Sequence, residues 1–334
     1  MSATNALENN LHYPVLLKEV LSIISPQNGG TYIDCTFGQG GYSKKILEFT
    51  GTKVIALDRD PKSKTIAIKF KKKFKDRFDF HNRKFSDIDK IRLPKKINGI
   101  IFDLGFSYRQ IKDYSKGLSF NSKGKLNMKM GLNKISADDV IRKLSATQLE
   151  LIFKLFGEEK KAKQISKKII KERLLKDIKT EDLVRIINLS KQNFTKKNKA
   201  TKIFQALRIL VNNEISELVS ALSKSCNIVS DNGVIATVTF HSIEDRICKF
   251  FFNNITRSKS VSRYLPISKN EEFYFKLINK KVITPTHEEI DVNPPSRSAK
   301  LRSIRRHGIE KIETKFLFEK FEELLEIEKK CSKL

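Results

Sequence analysis

Three short β-prone runs each finish on an aspartate, and the first leads straight into a glycine turn. Thr31-Tyr32-Ile33-Asp34-Cys35-Thr36 is followed by Phe37-Gly38-Gln39-Gly40-Gly41, Lys53 to Asp58 by Arg59-Asp60-Pro61, and Gly99 to Asp103 by Leu104-Gly105. Helical patterns lie between them, at Tyr42 to Phe49 and at Ser63 to Phe74, where Ile66, Phe70 and Phe74 recur at spacing four. Strands alternating with helices predict a parallel, doubly wound α/β sheet covered on both faces. The strand ends of such a sheet share one edge, and open α/β sheets bind ligands there. Asp34, Asp58 and Asp103 are therefore expected together at a site.

The glycine loop narrows the ligand. A dinucleotide fingerprint needs glycine at position 43, where Ser43 stands, and a P-loop needs a Gly-Lys-Ser/Thr ending, which is absent. What remains is acidic-x-x-x-Gly-x-Gly-Gly, the form typical of enzymes that use S-adenosylmethionine. A plain strand-to-helix turn has the same pattern. Asp58, at the end of the second strand, is placed to accept hydrogen bonds from ribose hydroxyls, and its plainer reading is an Asp-Pro turn residue.

From about Tyr114 to Lys199 the pattern is helical, with segments at Ala137 to Leu144, Ala146 to Phe156, Ala162 to Leu175 and Thr180 to Leu189, and a basic loop over Lys191 to Lys199. A single long helix is expected from the apolar stripe Phe204, Leu207, Val211, Ile215, Leu218 and Leu222. Val234 to Phe240 is the clearest strand, Ser298 to Arg306 is a last strand or a basic arm, and Glu310 to Lys330 is a charged amphipathic helix. The expected division is 1–113 and 200–309 for the α/β domain, 114–199 for an inserted helical domain, and 310–334 for a C-terminal extension.

The chain carries 66 Lys and Arg against 38 Asp and Glu, a net charge of +28. That excess favours a polyanionic partner, most often nucleic acid, although Lys-rich coding bias gives the same numbers. No run of 18 apolar residues is present, so no membrane span is expected. The N-terminus has no signal-peptide pattern, and four scattered cysteines (Cys35, Cys226, Cys248, Cys331) fit a reducing cytoplasm. The histidines and cysteines show no metal-ligand spacing, so no metal is expected.

Several ordered motifs together resemble one family, the RsmH (MraW) methyltransferases of small-subunit ribosomal RNA. They are His12-Tyr13-Pro14-Val15-Leu16-Leu17, the Asp34 to Gly41 loop, Ala56-Leu57-Asp58-Arg59-Asp60-Pro61, Phe102-Asp103-Leu104-Gly105 with Ser107 and Gln110, and Gly157-Glu158-Glu159. Phe204-Gln205-Ala206-Leu207-Arg208, Phe240-His241-Ser242-Ile243-Glu244-Asp245-Arg246 and Asn293-Pro294 with Arg297 to Arg302 follow. The resemblance implies a class I S-adenosylmethionine-dependent methyltransferase, a Rossmann-like doubly wound sheet with an inserted all-helical domain. It implies N4-methylation of a cytosine in the decoding centre of 16S ribosomal RNA, within the assembled 30S subunit, with no membrane or DNA partner. Cofactor contacts carried over by position are Gly40, Gly41, Tyr42, Asp58, Phe85, Asp103 and Gln110. Tyr42 replaces the family's usual His, Phe106, Tyr108 and Arg109 replace smaller residues, and Asn127 and Gly131 stand where acids are usual.

Methyl transfer needs the amine, the methyl carbon and the sulfur held in line and shielded from water. Asp103, Ser107 and His241 are the candidate catalytic residues. His241, Arg246, Arg297, Lys300 and Arg302 are candidate RNA contacts, because phosphates are the commonest protein contact on nucleic acid. Plainer readings stand beside these: a capping box for Ser242 and Asp245, a structural His241, and a solvated strand face for the basic cluster. Two rival functions share the same motifs, a methyltransferase of this fold acting on an amine of DNA or protein, and an RNA-binding assembly factor without turnover.

Overall fold

The structure is a computed structural model, and it describes residues 14–105, 110, 113–122, 124–191, 198–256 and 273–334. The chain divides into two compact units, Met1–Gly105 with Leu218–Leu317, and Phe106–Glu217 with Phe318–Leu334. The second unit takes in more of the chain than the helical block expected at 114–199. It includes residues 200–217 and most of the C-terminal extension.

The first unit is built on a seven-stranded sheet of order β3-β2-β1-β4-β5-β7-β6. The strands are β1 (Thr31–Asp34), β2 (Lys53–Leu57), β3 (Phe78–His81), β4 (Gly99–Asp103), β5 (Val234–Thr239), β6 (Phe275–Leu277) and β7 (Lys300–Arg306). The first five pair in parallel, while β7 runs antiparallel to both β5 and β6. Every residue of β1 and β5 is buried, as expected for central strands covered on both faces. β1 pairs with both β2 and β4, so the strand order reverses there. A crevice outside the carboxyl ends of β1 and β4 is the general ligand position in such sheets.

Three helices support the carboxyl edge. Helix α1 (Leu17–Ile24) is held at its start by the Glu289 carboxylate, which accepts the Leu16 N–H at 2.7 Å. The sequence reading assigned no element to this segment. Helix α2 (Gly41–Leu47) follows the glycine loop and α3 (Ser63–Phe74) follows Asp58. Phe37 and Phe70 meet edge-to-face with ring centroids 5.2 Å apart, beside Phe78.

In the second unit, helices Ala137–Lys143 and Ala146–Leu155 open with reciprocal capping boxes, Ser136 with Asp139 and Ser145 with Gln148. Helices Ala162–Arg173 and Thr180–Ser190 follow. The expected continuous helix from Phe204 to Leu222 is two helices, Thr201–Asn212 and Glu214–Ile228. Asn213 lies between them in the left-handed region, at φ 51° and ψ 41°, a conformation that asparagine tolerates better than most residues. The C-terminal helix is likewise two, Lys315–Lys320 and Glu322–Cys331. Ser298 to Arg306 resolves as a strand rather than an arm. Among the described residues no helix is long and apolar enough to cross a membrane.

Candidate active site

Backbone ladders bring the three acids together. Asp34 pairs with Ala56 on one side and Ile101 on the other, and Asp103 pairs with Val238. The loop after β1 is tied to its neighbours: the Cys35 N–H donates to the Ile101 carbonyl and the Phe37 N–H to the Leu57 carbonyl, each at 2.9 Å. Thr36 Oγ1 accepts the Asp103 N–H at 2.7 Å.

Each acid has a different environment. Asp34 is fully buried. It accepts the Ser43 hydroxyl at 2.6 Å and the Thr36 N–H at 3.2 Å. Burial pushes its carboxyl up to about 6 in spite of these donors. Asp58 organises the loop itself: Oδ2 accepts the Gly38 N–H at 2.7 Å and the Ser63 hydroxyl at 2.8 Å, and Oδ1 accepts the Asp60 N–H at 2.7 Å. Burial raises its pKa too. Asp103 is pushed to about 7, first by burial and then by the negative charge of Asp34, with a smaller push from Glu244. Among the described residues its Oδ1 is buried without a hydrogen-bond partner, while the Gly105 N–H lowers the pKa in part.

That orphaned oxygen tests what the edge can hold. A buried carboxylate surrounded by other acids is costly unless a donor or a cation pairs with it. S-adenosylmethionine carries a sulfonium, an α-ammonium and ribose hydroxyls, so the acids present fit it. Asp58 has one unused lone pair on Oδ1 for a hydroxyl; its remaining capacity is spent on the loop.

The glycines are explained mainly by the protein's own packing. Gly40 has φ +78°, and a Cβ there would lie 2.5 Å from the Phe70 ring and 2.8 Å from Phe37. A Cβ on Gly41 would meet Pro14 at 2.1 Å. At Gly38, φ +53°, a Cβ would meet only the Thr36 carbonyl oxygen, at an ordinary 3.8 Å. Tyr42 was expected at the cofactor, but its ring is buried in the core and its hydroxyl donates to the Val15 carbonyl. Only its backbone is left for a ligand. Phe85 packs edge-to-face on Phe102 with centroids 5.7 Å apart, directly before Asp103. Gln110 belongs to the second unit, and Ser107 lies outside the described residues.

At the end of β5, His241 Nε2 stands 3.0 Å from Glu244 Oε1, both side chains nearly inaccessible. Glu244 Oε2 accepts the N–H groups of Phe240 at 2.8 Å and His241 at 3.2 Å. Glu244 therefore supplies the carboxylate at the start of helix Ser242–Thr256, where a capping box by Asp245 was the plainer reading. Asp245 turns instead to β7, where it binds Lys300 Nζ at 2.8 Å and Arg302 Nε at 2.7 Å. Lys300 and Arg302, candidate RNA contacts from the sequence, therefore share one carboxylate partner that offsets part of their charge. Arg246 and Arg297 are exposed. Sequence reasoning placed Asp34 at the carboxyl edge without naming Ser43 as its partner, and gave Glu244 no role. Signals for both were available, in the spacing from His241 to Glu244 and in the Asp34–Ser43 pair across the glycine loop.

A parallel sheet with this reversal, an antiparallel penultimate strand, a glycine loop after β1 and acids ending β1, β2 and β4 together define a class I methyltransferase. Residues 9–307 match the model of the MraW methylase family. Two relatives are each named ribosomal RNA small subunit methyltransferase H. The one from Orientia tsutsugamushi (strain Ikeda) is 41% identical over 308 residues, covering 88% of this chain and 98% of the relative. The one from Ehrlichia ruminantium (strain Welgevonden) is 40% identical over 301 residues, with the same coverage. The chain belongs to the MraW methylase family. Among solved structures, an rRNA methylase from Streptococcus thermophilus aligns over 86% of this chain and 92% of its own, at 9% identity and a TM-score of 0.40.

Proposed function

We propose that this protein methylates the exocyclic N4 of one cytosine in the decoding centre of small-subunit ribosomal RNA, acting in the cytoplasm on the assembled 30S subunit. The observation that carries this reading is the acid edge with its unpartnered Asp103 oxygen, in a chain whose relatives are named for ribosomal RNA methylation. S-adenosylmethionine supplies the electrophilic methyl group when bound. The backbone of Gly40, Gly41 and Tyr42 forms one wall of its site. Asp58 takes a ribose hydroxyl, Phe85 supports the base, and Asp103 and Gln110 complete the set.

The cytosine amine is a weak nucleophile because its lone pair is delocalised into the ring. Acceptors for its N–H atoms favour the pyramidal, attacking form. N4 would exchange one proton for the methyl group, so the protein must offer an acceptor for that proton. Asp103, near neutrality at about 7, is suited to receive that proton. His241, held by Glu244, is the second proton acceptor, and Ser107 is assigned to the amine. Arg246 and Arg297 are assigned to phosphates, and Lys300 and Arg302, anchored by Asp245, to shaping that surface. The base must leave its stack to reach the site.

Incubation with labelled S-adenosylmethionine and small subunits lacking the modification, followed by digestion and mass spectrometry, tests the reading. Label on a single N4-methylcytidine is expected. Label on a ring carbon, on ribose, on DNA or on protein overturns it.

A further inference from the structure

Helix Ala162–Arg173 has two opposed faces. Ala162, Ile165, Ser166 and Ile169 are buried. On the outer side Lys163, Lys167 and Lys171 follow one another at intervals of four, Lys160 stands in the turn before the helix, and all four are exposed. Four residues of α-helix rise about 6 Å, so the ammonium groups form a regular line comparable in spacing to successive phosphates of a nucleic-acid strand. The only acid on the helix, Glu172, is already engaged by Arg185 at 2.5 Å and Lys176 at 3.7 Å. Lys168, off the line, donates to the Leu189 carbonyl at 2.9 Å. Beyond Lys171 the same side ends in Leu174, which is 79% exposed.

A row of like charges has a cost. Lysines four apart on a helix repel by a few tenths of a kcal/mol per pair, and here no carboxylate on the helix relieves the row. We infer that Lys160, Lys163, Lys167 and Lys171 form a track for the phosphates of a ribosomal RNA strand, outside the residues assigned to the cofactor and to the target base. The inference rests on the ribosomal RNA substrate proposed above. RNA fits better than a membrane, because the apolar face that a surface-bound helix must insert is buried in the core here. It fits better than an acidic protein, because a phosphodiester strand presents one charge per nucleotide at a regular interval. Phosphate contacts of this kind set the register of a strand without reading its sequence.

The test compares two triple reversals with the same change in net charge, K163E/K167E/K171E on the track and K64E/K69E/K72E on exposed positions of α3. Glu and Lys have similar helix propensity, and circular dichroism confirms that both variants fold. Binding to small subunits is measured across a salt series. Each single-strand phosphate contact contributes about −0.7 to the log–log slope, so the track variant is expected to lose about 2 from the slope's magnitude. The α3 variant should retain the wild-type slope, and both should keep wild-type affinity for S-adenosylhomocysteine. Equal slope losses in the two variants overturn the inference, because net charge alone would then account for the binding. Vesicles of anionic phospholipid that retain the wild type but not the track variant, with unchanged RNA slopes, assign the track to a membrane surface and also overturn it. If wild-type protein methylates no small-subunit RNA, the functional reading fails separately.

Discussion

Asp103 is the residue whose chemistry depends most on its setting. An aspartate in water ionises near 3.9; here burial and the charge of Asp34 move it to about 7. A cationic ligand favours the ionised form. Affinity for S-adenosylmethionine should therefore rise as pH increases from about 6 to 8, with proton release on binding at the lower end. Titration calorimetry in buffers of different ionisation heat measures this, and Asp103→Asn should reduce both the release and the pH dependence, leaving the part that Asp34, at about 6, contributes. Tyr42 behaves in the opposite way, because its hydroxyl is spent inside the core on Val15. Tyr42→Phe should cost about 0.5–1.5 kcal/mol of stability, the usual value of one hydrogen bond, and leave S-adenosylhomocysteine affinity unchanged. A loss of affinity would place the hydroxyl at the ligand. The acids themselves were legible in sequence, since each closes a hydrophobic run. The partner of Tyr42 was not, because Val15 lies 27 positions away.

Among the elements, helix Glu214–Ile228 shows a cap that local sequence does not supply. Its first N–H groups, at Ile215 and Ser216, donate to the Glu328 carboxylate at 3.0 and 2.8 Å, and the Ser216 hydroxyl joins them. Glu328 is 1% exposed, and burial pushes its pKa up to about 8. Glu328→Ala leaves these donors buried and unpaired, so a loss of about 1–3 kcal/mol is expected in denaturant unfolding. The sign of the pH effect follows from linkage. The folded pKa lies above the unfolded value near 4.3, so the folded state binds more protons between those values and this contribution declines as pH rises. The gap between wild type and variant should be widest below about pH 4.3 and narrow steadily toward pH 8. The periodicity that predicted one helix through Phe204 to Leu222 was correct for the apolar faces on each side of the break. It missed the break because periodicity is insensitive to a single left-handed residue, and because the capping group stands 112 positions from Ser216.

For the whole molecule, the family match ends at residue 307, yet Phe318–Leu334 is part of the second compact unit. A chain stopped after Leu317 should therefore melt at a lower temperature than the full protein, and proteolysis should cut the residues of 106–217 faster. Equal melting temperatures would make the extension an ornament on the fold. The net charge of +28 gives attraction to RNA in general, while the placement of particular lysines, some paired as Lys300 is and some in open rows, decides where a strand can lie.

The sequence by itself determined the parallel strands that end on the acids, their carboxyl edge and the family, but not strand β6 or the antiparallel course of β7. Strand alternation, glycine turns and terminal acids are local patterns, and local physics writes them directly into the order of residues. Only the tertiary structure decided how the charges are spent: that Asp245 takes up Lys300 and Arg302, that Glu244 holds His241, that Glu328 caps a helix from the far end of the chain, and that one oxygen of Asp103 has no partner among the described residues. Electrostatic pairing and burial act through space, between groups whose separation in sequence carries no information about their distance in the fold.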